Sequence, residues 1–132
     1  MKFQSRSKIL LVEDNIEFAE ILKEHLEATT EFQVMHFRTA QSALEHLRES
    51  PHRIVGVISD LYMRGMDGIE FATRLRQSHS GAHIPLIFVS GGDPMVFDSM
   101  LKDFAITGFF QKPVNIEKIE NAVNLNFKTA AA

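Results

Sequence analysis

The 132-residue chain has no cysteine. That removes disulfides and thiol chemistry and fits a cytoplasmic setting. Long hydrophobic runs are also lacking: the apolar stretches fall far short of the roughly 18 residues a membrane helix needs. Met1 to Ser7 carries two positive charges with no apolar segment behind it, so no signal peptide is expected. Nor is there a basic excess. The net charge of −3 argues against direct nucleic-acid binding, which normally uses a positive surface. No internal repeat and no low-complexity linker interrupts the chain. What it does have is 45% hydrophobic residues, an ordinary share for a globular chain with a real core. At this length a single domain is expected over residues 1–132.

Strand-like apolar runs alternate with amphipathic stretches. Ile9 to Val12, Phe32 to Phe37, Ile54 to Ser59, Ile84 to Val89 and Ala105 to Phe110 read as strands. Between them, helices are expected over 15–28, with Phe18, Ala19, Leu22 and Leu26 on one face, and over 39–49, with Thr39 as its cap. Asp14 or Asn15 can cap the first helix. A third helix, capped by Asp67, carries Ile69, Ala72 and Leu75. A weaker one follows from about Asp93 to Lys102. The last spans about Asn115 to Phe127, with Ile116, Ile119, Val123 and Phe127 in one stripe. Five such βα units imply a parallel sheet with helices on both faces and right-handed crossovers.

In open α/β sheets, ligands bind beyond the carboxyl ends of the strands. Glu13 and Asp14, Asp60, Ser90 and Lys112 each follow a different strand-like run, so they would converge on one edge. Three carboxylates, a hydroxyl and an ammonium make a site for a divalent cation and a phosphoryl group. Two like charges about 4 Å apart repel by roughly 4 kcal/mol at an effective dielectric near 20. A raised pKa or a bound cation relieves that. Hard oxygen donors suit Mg²⁺, with Mn²⁺ as the alternative, better than zinc. The six histidines show no metal-site spacing and are expected at the surface. Gly91, beside Ser90, would let the backbone approach a phosphoryl group closely.

Taken singly, each of these residues also reads as a helix cap, a turn serine or a solvated lysine. Together with Asp60-Leu61-Tyr62-Met63-Arg64-Gly65-Met66-Asp67-Gly68 and Phe109-Phe110-Gln111-Lys112-Pro113 they form a pattern. It resembles the receiver domain of bacterial two-component response regulators, over about residues 7–127. The spacings of 46, 30 and 22 residues from Asp14 through Asp60 and Ser90 to Lys112 are similar to the family's.

The resemblance implies a flavodoxin-like doubly wound five-stranded parallel sheet, (βα)5, with strand order 2-1-3-4-5. It implies that Asp60 accepts a phosphoryl group from a phosphohistidine on a sensor histidine kinase or phosphotransfer protein. Glu13, Asp14, Asp60 and the backbone carbonyl of Tyr62 would hold Mg²⁺. Ser90 would be the switch hydroxyl, Phe109 the switch aromatic, and Lys112, before a cis proline bond, the bridge to Asp60 and the phosphoryl group. The surface of the fourth helix, fifth strand and last helix would then change shape for a downstream protein, an output domain beyond this sequence, or a phosphorylation-dependent homodimer. The domain would be no enzyme beyond its own phosphorylation and dephosphorylation.

Three departures stand out. Arg64 occupies a position where many relatives have proline. Phe109 lacks the hydroxyl of the common tyrosine. Tyr62, two residues after Asp60, could shield an acyl phosphate, implying slow self-dephosphorylation. Competing readings are a phosphorylation-independent binding module of the same fold, a phosphatase with an aspartate nucleophile, and a flavin binder. The full acidic set counts against the first. Tyr62 stands where such phosphatases usually carry a second carboxylate. Glu13-Asp14 would repel a flavin phosphate.

Overall fold

The structure, a computed structural model, describes residues 6–91 and 102–128. Five strands, β1 (Lys8–Val12), β2 (Gln33–Phe37), β3 (Ile54–Ser59), β4 (Leu86–Ser90) and β5 (Gly108–Gln111), form one sheet in the order β2-β1-β3-β4-β5. Every pairing is parallel. The helices are α1 (Ile16–Thr29), α2 (Ala40–Glu49), α3 (Gly68–Gln77) and a C-terminal helix (Ile116–Asn126). The weak helix expected over 93–102 lies almost wholly outside the described residues.

Alternation along the strands sorts the core into two halves. Leu10, Val12, Val57, Leu86 and Phe88 point to the side of α2 and α3. Ile9, Leu11, Ile58, Ile87 and Val89 point to the side of α1 and the C-terminal helix. Both faces are covered, so the central strands are nearly continuous apolar runs. Gly56 is required by packing: a Cβ there would sit 2.5 Å from the Phe127 ring.

The helices begin where side-chain oxygens meet free backbone donors. Asn15 Oδ1 accepts the Phe18 N–H at 3.1 Å, Thr39 Oγ1 accepts that of Ser42 at 3.1 Å, and Asp67 Oδ1 accepts that of Glu70 at 2.9 Å. Asn15, not Asp14, is therefore the cap of α1. At the start of α3, a Cβ on Gly68 would lie 2.6 Å from Leu61 Cα, so this glycine lets the helix close against the segment that carries Asp60.

Expectations about element placement and helix faces need correction in places. The fourth strand runs Leu86–Ser90 rather than Ile84–Val89. The fifth strand begins at Gly108 rather than Ala105, because Ala105 sits in a left-handed turn at φ 53°. Arg76 fastens that turn, donating to the carbonyls of Phe104 at 2.8 Å and Ile84 at 2.7 Å. On α3 the buried stripe is Gly68, Phe71, Ala72 and Leu75. Ile69 lies off that stripe and is exposed. Phe18 of α1 is only half-buried, unlike Ala19, Leu22 and Leu26.

Candidate functional site at the carboxyl edge of the sheet

Main-chain hydrogen bonds align the strand ends that carry the polar groups. Asp60 N–H donates to Val12 O at 3.0 Å, and Lys112 N–H donates to Ser90 O at 2.8 Å. The ladders of β1 with β3 and of β4 with β5 thus run on for one more bond. They bring Glu13, Asp14, Asp60, Ser90 and Lys112 to the same edge.

One carboxylate oxygen from each of Glu13, Asp14 and Asp60 lies within 4.8 Å of the other two. Glu13 is 1% exposed and Asp60 7%, while Asp14 is half-buried. Lys112 Nζ donates to Glu13 Oε1 at 2.9 Å and to Asp60 Oδ2 at 3.2 Å. Its ammonium sits 4.6 Å from the centre of the Phe18 ring, a cation–π contact. Backbone donors take the second oxygens of Glu13 and Asp60: Asn15 N–H reaches Glu13 Oε2 at 3.1 Å, and Tyr62 N–H reaches Asp60 Oδ1 at 3.2 Å.

One ammonium does not balance three carboxylates. Burial pushes the Glu13 carboxyl up from its ordinary value, and the charge of Asp60 adds to this; the hydrogen bonds from Lys112 and Asn15 act against it. For Lys112, burial alone would favour the neutral amine. The hydrogen bond and charge of Glu13, with Asp60 behind them, outweigh it and raise the pKa. A divalent cation among the three carboxylates would relieve the surplus negative charge. An all-oxygen donor set is the chemistry that Mg²⁺ or Mn²⁺ accepts. The cluster is therefore a candidate cation site.

The other predicted residues are placed as follows. Ser90 is fully buried at the end of β4. Phe109 is half-buried and packs on the core half beneath α2 and α3. Tyr62 turns its side chain outward, 56% exposed, while its backbone holds Asp60. A Cβ at Gly91 would meet nothing within 4 Å among the described residues. The Lys112-Pro113 bond is cis.

The histidines were expected at the surface, and only His52, His79 and His83 are exposed. His25 Nε2 pairs with Glu120 at 2.7 Å, tying α1 to the C-terminal helix. His46 stacks at 5.2 Å on Phe37. His36 Nε2 lies 2.7 Å from the backbone carbonyl of Glu13. It fills the acceptor just past the end of the β1 ladder, beside the carboxylates. Arg38 and Thr39 line a cleft at the same edge together with Asp14 and Arg64. In the sequence His36 reads as a surface histidine and Thr39 as a helix cap, and Arg38, just past β2, carries no role. The rule applied to the other strands, polar groups just past the carboxyl end, would have found them.

Doubly wound architecture with a carboxylate–lysine pocket at its carboxyl edge defines a class, the CheY-like signalling domains. The model of the response regulator receiver domain matches residues 9–124, and the chain belongs to that family. Its members are signalling domains rather than conventional enzymes.

The transcriptional regulatory protein MalR of Bacillus subtilis is 27% identical over 117 residues, covering 88% of this chain and 48% of MalR. The chain thus spans about half the length of that relative. A probable chemotaxis protein CheY of Rhizobium etli is 24% identical, with 96% of this chain and 97% of the relative covered. Among solved structures, a response regulator receiver protein from Pseudomonas putida matches at a TM-score of 0.83 and 27% identity, over 91% of this chain and 97% of its own. Chemotaxis protein CheY4 of Vibrio cholerae matches at 0.83 and 22% identity, over 92% and 99%; that likeness concerns the fold. Among the described residues, no helix is long and apolar enough to cross a membrane.

Proposed function

We propose that this receiver domain accepts a phosphoryl group on Asp60 and uses it as a switch. The observation carrying this reading is the set of contacts around Asp60: two carboxylates within 4.8 Å and the Lys112 ammonium at 3.2 Å. Glu13, Asp14, Asp60 and the Tyr62 carbonyl would hold Mg²⁺. When bound, the cation offsets charge between the phosphoryl oxygens and the carboxylates.

An Asp60 carboxylate oxygen attacks the phosphorus of a phosphohistidine on a sensor kinase or phosphotransfer protein. The new P–O bond forms as the P–N bond breaks, and the electron pair stays on the imidazole nitrogen. Lys112 already holds Asp60 Oδ2 and is within reach of the incoming oxygens. The phosphoryl group brings close to two negative charges and strong acceptors. It draws on the Lys112 ammonium and the Ser90 hydroxyl. Movement at the end of β4 opens room for the Phe109 ring to repack, a two-state change biased by one local charge. The altered surface around β5 and the C-terminal helix would meet a downstream protein, an output domain or a second copy.

Acetyl phosphate with Mg²⁺ tests the proposal. Intact-protein mass should rise by one phosphoryl group in the parent and not in Asp60→Asn, and chelation should abolish the gain. Equal labelling of Asp60→Asn and parent would remove the reading.

A further inference from the structure

The acidic pocket has an electrostatic difficulty. Its three carboxylates and single ammonium leave it negative, in a chain whose net charge is −3. A phosphodonor is itself an anion, so it must approach against this field. Beside the pocket lies an open cleft of about 490 Å³ lined by Asp14, Arg38, Thr39 and Arg64.

Arg38 and Arg64 are both exposed, and neither has a hydrogen-bond or ion-pair partner among the described residues. Several other arginines are engaged. Arg6 donates to the carbonyl of Phe32, Arg74 pairs with Glu70, and Arg76 holds the carbonyls of Ile84, before β4, and Phe104, before β5. The two guanidiniums of this cleft come from different elements. Arg38 follows β2, and Arg64 lies in the loop after Asp60. They meet in a cleft that shares Asp14 with the candidate cation site.

We propose that the Arg38–Arg64 cleft is an anion subsite that receives a small anionic phosphodonor before transfer to Asp60. The ligand class is an acyl phosphate or a similarly small phosphorylated anion. A guanidinium presents a planar fork of donors suited to phosphate and carboxylate oxygens. Both charges lie on the rim, where they raise local anion concentration and leave the transfer step itself alone. For an acyl phosphate that step is balanced without a proton. An Asp60 oxygen bonds to phosphorus, the bond from phosphorus to the acyl oxygen breaks, and the carboxylate leaves with the electron pair. The inference rests on Asp60 being the acceptor.

Acetyl phosphate is the probe, with initial rates of Asp60 phosphorylation read at saturating Mg²⁺. Replacing either arginine by glutamine should raise the half-saturating concentration about three-fold, and Arg38→Gln with Arg64→Gln together about ten-fold. The maximal rate should stay within about two-fold, since the charges act on binding. Lysine at both positions should restore most of the loss by keeping the charge. Added salt should slow the parent more steeply than the double variant. At low salt the double variant should also bind Mg²⁺ more tightly, because two positive charges have gone. Arg48→Gln, an exposed arginine on α2 outside this cleft, makes the same unit change in net charge and should alter none of these.

A double variant that saturates at the parental concentration, with parental salt dependence, overturns the subsite. So does an equal shift in Arg48→Gln. Should the parent itself take no phosphoryl group, the acceptor reading fails and the subsite with it. A phosphorylated parent beside an unaltered double variant sinks the subsite alone.

Discussion

The interior of β3 and the residue just past its end follow opposite rules. Val57 and Ile58 are wholly buried among apolar neighbours, and their backbone groups are paired in parallel ladders. Asp60, two residues beyond Ile58, is nearly as buried but carries a charge. It lies among two other carboxylates and is restrained by one lysine and one backbone N–H. Burial stabilises the first region by removing apolar surface from water. In the second, burial concentrates charge that a cation and a phosphoryl group can answer. The scaffold supplies the stability, and the edge spends part of it on a poised, unbalanced site.

Substitutions should separate the two regions by what they change. The largest effect on stability belongs to the interior. Leu22→Ala, on the buried stripe of α1, should cost about 3 kcal/mol in chemical denaturation. It should leave the Mg²⁺ dissociation constant unaltered. A large loss of Mg²⁺ affinity there would show that core and edge are coupled.

Lys112→Met comes next. It strands two buried carboxylates without their cation, and should cost about 2 kcal/mol in metal-free buffer, less than for a fully buried pair because the lysine is a quarter exposed. Mg²⁺ should return more stability to this variant than to the parent. Equal Mg²⁺-induced shifts in melting temperature would contradict the charge accounting.

The pH dependence follows from Glu13. Its folded pKa is raised, so the folded metal-free domain holds that proton more tightly than the unfolded chain does. The contribution to stability is therefore fullest at low pH. It falls as pH rises from about 4.5, the ordinary value, through the raised one. Mg²⁺ needs the ionised carboxylate, so its affinity runs the other way. It should weaken by up to about ten-fold for each pH unit below the raised value, one proton being exchanged. Calorimetric titrations at pH 5 and pH 8 measure this, and equal affinities would contradict it.

The smallest effect should come from Tyr62. Its exposed ring belongs to the second residue after Asp60. Tyr62→Asn should shorten the phosphoryl lifetime by a few-fold through easier access of water. An unchanged release rate in a phosphate assay would leave the ring with no shielding role.

Much of this domain was legible without coordinates, because its signals are local. Apolar runs of strand length, capping residues such as Thr39 and Asp67, and helical spacing depend on neighbours a few residues apart. The errors came where tertiary contacts overrule that spacing. Ile69 fits an apolar stripe in sequence, but the close contact of Gly68 with Leu61 turns a different stripe inward. Ala105 extends an apolar run, yet the Arg76-fastened turn keeps it out of β5. His36 read only as a surface histidine and Arg38 was not singled out, because each takes its place beside Glu13 or Arg64 only through the pairing of β2 with β1.

The sequence by itself determined the order and type of the elements and the chemistry available at each strand end, since both are written in residue type and short-range period. Only the tertiary structure decided which of those ends meet. Parallel pairing joins residues dozens of positions apart. Sheet register then set the 4.8 Å carboxylate cluster, the reach of Lys112 to two of its members, and the company of Arg38 and Arg64 around one cleft.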